Sequence, residues 1–176
     1  MGVLKHRKKM DVYTKEKITR DSIDKFLELD HVVELHVIRD CYDAIPKQGT
    51  GFSQRKKELA TCLRENIVNG EQVSNLNFTK KPINEHKFEA VYEFQRKYND
   101  KTKVATDEND QGLFVHLEKW LVDAADHRIS RSTTRRIQSE MFKSWKLMEE
   151  AIEEEQPLQC DFMDLLRINM VAMKLK

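Results

Sequence analysis

The sequence predicts an α+β fold dominated by helix, and three observations carry that expectation. Five glycines and three prolines are few for 176 residues. Apolar residues recur mostly at three- and four-residue spacing, the mark of amphipathic helices. Only two short segments, FLELDHVV and VSNLNFT, read as strands.

Charged residues make up 35% of the chain and hydrophobic ones 39%, a balance that suits a folded domain and argues against disorder over most of the length. No run approaches the ~20 apolar residues of a membrane span. The start MGVLKHRKKM lacks the apolar stretch of a secretory signal. Cys41, Cys62 and Cys160 form no CxxC pair. They predict reduced, buried thiols in an intracellular setting, cytoplasmic or nuclear, rather than a disulfide framework or a zinc ribbon.

Along the chain, ITRDSIDKF reads as a short helix or turn with Thr19 or Asp21 as its cap. FLELDHVV then places Phe26, Glu28 and Asp30 on one side of a strand and Leu27, Leu29 and His31 on the other. Leu35, Ile38, Tyr42 and Ile45 predict a helix that ends before Pro46, and KQGTG is a loop. SQRKKELATCLRENIVNG reads as a second helix, with Leu59, Cys62 and Leu63 inward and Asn69 and Gly70 as its stop. After the strand VSNLNFT, Pro82 suits the first turn of a helix running to about Asn99. On a helical wheel Asn84, Phe88, Val91 and Tyr98 share its inner face, while His86 points to solvent.

Residues 99–112 are polar and aperiodic, which predicts a linker between a region 1–98 and a C-terminal helical region 113–176. Three amphipathic patterns lie in the latter: Phe114 to Ala124, Ile137 to Ile152 and Phe162 to Met173. Each requires a partner surface. Trp120 and Trp145, at helical spacing among leucines and methionines, belong to a core or an interface.

The chemistry concentrates at Asp30 and His31. Asp30 is a hard ligand for a divalent cation, and His31 takes up a proton near neutral pH. Asn84, at the first turn of the helix's inner face, offers a neutral oxygen suited to Mg²⁺ or Mn²⁺. An asparagine beside Pro82 also suits a helix start for backbone reasons alone. Asn75 either returns a polar group to the same place or serves as a turn residue. A metal and a base together are what hydrolysis of a phosphodiester requires. Glu34 and His36 are expected on a surface helix, and His86, His116 and His127 as surface or packed residues.

These residues resemble the ββα-metal motif of the HNH endonucleases: a strand ending in DH, an intermediate asparagine, and a helix opening with N-x-x-K. Asn84 follows Asn75 by nine positions, and Lys87 stands three after Asn84. The 43 residues between His31 and Asn75 are similar in number to the insertion of caspase-activated DNase. The resemblance covers roughly residues 24–98. It implies a ββα-metal finger embedded in helices, with a C-terminal helical extension, acting as a metal-dependent endonuclease on DNA. Asp30 and Asn84 would bind Mg²⁺ or Mn²⁺, and His31 would activate water. Asn75 would hold the loop and orient His31, and Lys80 and Lys87 would contact DNA phosphates.

Lys80 and Ile83 stand where many members carry cysteines, so no structural zinc is expected. Lys80 also replaces the extra histidine of the caspase-activated DNase type. Strand alternation would turn Asp30 and His31 to opposite faces, so the arrangement requires the strand to end or bulge there.

Two basic clusters remain: Lys5, Arg7, Lys8 and Lys9, and then Arg128, Arg131, Arg135 and Arg136. They suit phosphate contacts through counterion release, or simply a solvated surface. The C-terminal helices would present the second cluster to DNA or form a homodimer. Two other readings compete: a non-catalytic nucleic-acid-binding or adaptor protein on the same scaffold, and a helical interaction protein. In the last, DH and N-x-x-K coincide by chance, and a structure without a strand pair facing the Pro82 helix would favour it.

Overall fold

The computed structural model describes residues 10–68, 75–99, 112–113, 116–118, 130–152 and 157–175. Helix dominates, and one two-stranded antiparallel sheet supplies the β component, so the fold is α+β. Helix α1 (Arg20–Phe26) opens on Thr19, whose hydroxyl accepts from the Ser22 amide while Ser22 Oγ accepts from the Thr19 amide. This is a capping box with serine in the usual Glu position. Strand β1 (Leu27–His31) follows directly, then α2 (Leu35–Ala44) and α3 (Phe52–Leu63), which widens into a π-helical segment over Arg64–Val68.

Strand β2 (Leu76–Lys80) sets Leu27 opposite Lys80, Asp30 opposite Asn77 and His31 opposite Leu76. Helix α4 (Lys81–Asn99) continues from β2 without a loop and packs on both strands. A strand pair therefore does face the Pro82 helix. Helices α5 (Arg131–Ala151) and α6 (Pro157–Ala172) complete the described elements.

The sheet buries its polar face. Residues opposite one another share a side of an antiparallel pair, so Glu28, Asp30, Asn77 and Thr79 lie together, and the last three are at most 1% exposed. A turn at residues 10–17, closed by the Met10–Lys17 bridge, brings Asp11 onto this face. Asp11 accepts from the Tyr13 amide, Thr14 Oγ1, Asn77 Nδ2 and Thr79 Oγ1, all within 3.1 Å. Four donors satisfy a buried carboxylate without any cation. On the opposite face Leu29 is half exposed.

The inner stripe of α4 differs from the expected one. Ile83, Lys87, Ala90, Val91 and Phe94 are buried, whereas Phe88 is exposed and Asn84, His86 and Tyr98 are half-buried. The wheel is turned by about one residue because Lys87 goes inside, a position that an apolarity count assigns to solvent.

One hydrophobic cluster runs from Val12 to Met173, so the regions 1–98 and 113–176 share a core. Helix α2 packs on α6, where Asn169 Nδ2 reaches Cys41 Sγ at 3.5 Å. Ile137, Met141, Trp145, Met148 and Ile152 are buried within the chain itself, which uses internally the stripe that suggested a dimer face. Of the first C-terminal pattern, Leu117 is buried. Phe114, Trp120, Leu121, Ala124, His127, the basic start and residues 100–111 lie outside the described residues. Among the described residues no helix is long and apolar enough to cross a membrane.

Two measurements check this core. Gly112 has φ +66°, and an added Cβ would stand 2.6 Å from the Met173 carbonyl oxygen, next to the 3.0 Å bond from Leu113 N to that oxygen. Gly112→Ala should cost about 1–3 kcal/mol and lower the thermal midpoint by several degrees; an unchanged midpoint would refute this contact. Burial, reinforced by the nearby Asp40 charge, pushes the Cys41 thiol up to about 12. Its thiolate is therefore scarce at pH 8.5, and iodoacetamide should modify the half-buried Cys62 and Cys160 well before Cys41. Because the raised value belongs to the folded state, stability should also decline as pH rises from about 9 towards 12.

Candidate active site

The end of β1 is set by Asn75. Its backbone carbonyl accepts from Val32 N at 2.7 Å, its Oδ1 accepts from Val33 N at 2.7 Å, and its Nδ2 donates to Val33 O at 3.2 Å. Asn75, Val32 and Val33 are wholly buried. Three hydrogen bonds thus pin the two residues after His31 and stop the strand there. This is how alternation and convergence are reconciled. Asp30 points inward, His31 leaves from the final strand position, and both border one cavity of about 460 Å³. Asn84, from the first turn of α4, borders the same cavity, with Glu34, Glu85 and Glu89.

Asp30 is 1% exposed. Its Oδ2 accepts from Tyr13 Oη at 2.6 Å, and its Oδ1 stands 2.9 Å from Lys87 Nζ. The latter is a contact of charges, since Oδ1 accepts no hydrogen bond of good geometry. Lys87 corrects an expectation. Fully buried, it cannot reach a DNA phosphate; its ammonium also donates to Glu34 Oε1 at 2.5 Å and to the His31 carbonyl at 2.6 Å. Burial pulls the Lys87 pKa down, but Asp30 and Glu34 outweigh it and raise it, so the group is charged. Glu34, expected on the surface, is 7% exposed, and burial lifts its pKa against the opposing pull of Lys87.

His31 is half-buried, and burial lowers its pKa; Asp30 opposes this and Lys87 adds to it. The imidazole is therefore neutral at neutral pH, the state a proton acceptor needs. His36 also departs from a surface reading. It is half-buried, with its ring 5.2 Å from Phe88 and 6.2 Å from Tyr92, the latter two being stacked and exposed. Asn84 commits its Nδ2 to Glu28 Oε2 at 3.3 Å, so its amide oxygen is the end left for a ligand.

The remaining expected contacts lie elsewhere. Lys80 is exposed and pairs with Glu16 at 2.8 Å. Arg131 pairs with Glu118, and Arg135 is exposed. Arg136 is drawn into the fold, donating to the Tyr13 carbonyl at 2.7 Å and to Ser132 Oγ. Arg128 lies outside the described residues. None of the three described arginines borders the cavity.

As a metal site the donor set is sparse. Among the described residues no group of three His, Cys, Asp or Glu side chains is placed to hold an ion. The cavity wall nevertheless carries four carboxylates against the single cation Arg39, a negative surface of hard oxygens. With Asp30 and the Asn84 amide it fits a hard ion that keeps most of its water, provided Lys87 yields Asp30 Oδ1. The chain matches no family model, no curated protein and no solved structure.

Tyr13 carries no signal in the sequence, since it stands in a polar stretch with no periodicity. Replacing it tests the geometry. Tyr13→Phe should destabilise the protein by about 1–2 kcal/mol by leaving Asp30 Oδ2 without its donor. Asn75→Ala should cost more, about 2–4 kcal/mol, since two Val33 backbone groups lose their partner. Equal urea midpoints for the two variants would contradict this order.

Proposed function

We propose that the protein is a metal-dependent endonuclease of HNH type that hydrolyses phosphodiester bonds in DNA. One observation carries the reading: Asp30, His31 and Asn84 border a single cavity at a strand end that Asn75 holds. Asp30 and Asn84 would hold Mg²⁺ or Mn²⁺. The bound ion would stabilise charge developing on the phosphate and the leaving oxygen. His31, kept neutral by burial, would take the proton from the attacking water. The Asn75 bonds fix the backbone beside His31, so the imidazole needs no reordering when substrate arrives.

A second reading is a nucleic-acid-binding or adaptor protein without catalysis. The contact between Lys87 and Asp30 favours it, because a resident ammonium already neutralises the carboxylate that a metal would use.

Nicking of supercoiled plasmid separates the two. The nuclease reading expects cleavage that needs Mg²⁺ or Mn²⁺ and stops with EDTA. His31→Ala should lower the rate by about 10²–10⁴-fold while far-UV circular dichroism is unchanged. Undiminished cleavage by that variant removes His31 from the mechanism, and no cleavage by the wild type leaves the adaptor reading.

A further inference from the structure

The surroundings of Lys87 Nζ are those of a cation site. Asp30 Oδ1 stands at 2.9 Å, Glu34 Oε1 at 2.5 Å, the His31 carbonyl at 2.6 Å and the Val32 carbonyl at 3.4 Å. Two carboxylates and two carbonyls are hard donors of the kind that Mg²⁺ and Mn²⁺ take. Asp30, 1% exposed, borders the cavity while its Oδ1 makes no well-formed hydrogen bond. Its close neighbour is the Lys87 ammonium at 2.9 Å, so an ion reaches that oxygen by displacing Lys87.

We propose that this oxygen cage is a divalent-cation site which Lys87 fills for itself, so that ion and ammonium hold Asp30 in alternation. The two occupants are closely matched. A divalent ion attracts the same carboxylates with twice the charge, but Mg²⁺ gives up its water reluctantly, whereas Lys87 is already dehydrated. Four carboxylates in the wall against Arg39 raise the local concentration of cations at the cavity mouth. When the ion enters, Lys87 must move off Asp30. The unbranched, flexible side chain can withdraw by rotating about its own bonds, and Glu34, which borders the cavity, can keep hold of the ammonium as Asp30 releases it. Lys87 is a positioning residue in this scheme; it touches no substrate. The consequence is a site in which the ammonium offsets the Asp30 charge, and which stays idle until the ion is present.

The inference rests on the nuclease reading for what the ion is used for, but not for whether it binds. Binding is therefore measured on the whole chain without nucleic acid, by electron paramagnetic resonance of free Mn²⁺. Lys87→Met should bind Mn²⁺ at least tenfold more tightly than the wild type, and adding Asp30→Asn should abolish the gain. Equal affinities in the wild type and Lys87→Met overturn the competition and leave the nuclease reading standing. Absence of binding in both takes the metal, and with it the nuclease reading.

A second measurement needs no substitution, which matters because a buried lysine is a risky residue to remove. Amine acetylation of the wild type, read by mass spectrometry, should leave Lys87 protected without metal. Saturating Mg²⁺ should speed its labelling several-fold. Protection that Mg²⁺ does not alter overturns the proposal even if the variant fails to fold.

Discussion

A lysine with no exposed surface is the constraint on which the rest of this structure depends. An unpaired ammonium in a protein interior is not tolerated, so Lys87 dictates what must surround it. Asp30 comes from β1, Glu34 from the start of α2 and the His31 and Val32 carbonyls from the link between them. All must meet α4 at its second turn counted from β2. Satisfying one cation therefore sets the distance and the rotation of α4 against the sheet. Tyr13 extends the same network to the N-terminal turn, and Arg136 ties that turn to α5. Removing one member of such a group is costly, about 3–5 kcal/mol, because the remainder is left charged and buried.

That network also explains where sequence reasoning succeeded and where it failed. The two strands, the helix opening at Pro82 and the amphipathic stripes of α5 and α6 follow from apolar spacing, which is local information. Asn75 as the residue that holds the loop came with the resemblance, and its three bonds to Val32 and Val33 have that form. Lys87, Glu34 and Arg136 were misplaced for a common reason. A charged side chain goes inside only when a partner from a distant part of the chain is already there, and periodicity cannot report the partner. Phe88 misled in the opposite sense: an aromatic residue at helical spacing reads as core, yet here it stands exposed beside Tyr92. A retrospective signal does exist for Asn77 and Thr79. They alternate on β2 as polar residues facing inward, which makes sense only with Asp11 supplying the acceptors.

The two halves of the candidate site are built on different physics, and this bears on how each could change in evolution or design. The Asn75 clamp is made of neutral amide bonds to backbone, so it keeps its geometry at any metal concentration or ionic strength. The Asp30 side is a balance of charges, sensitive to whatever cation is near. His31 stands at the junction: its backbone carbonyl belongs to the Lys87 cage while its ring borders the cavity. Loss of the ammonium from that carbonyl would alter the field at the ring without moving the clamp. Lys87 itself lowers the His31 pKa, and an ion in its place would act in the same direction with greater charge. The imidazole would then remain neutral whichever cation occupies the cage, so occupancy would change the charge beside Asp30 without changing the protonation of His31.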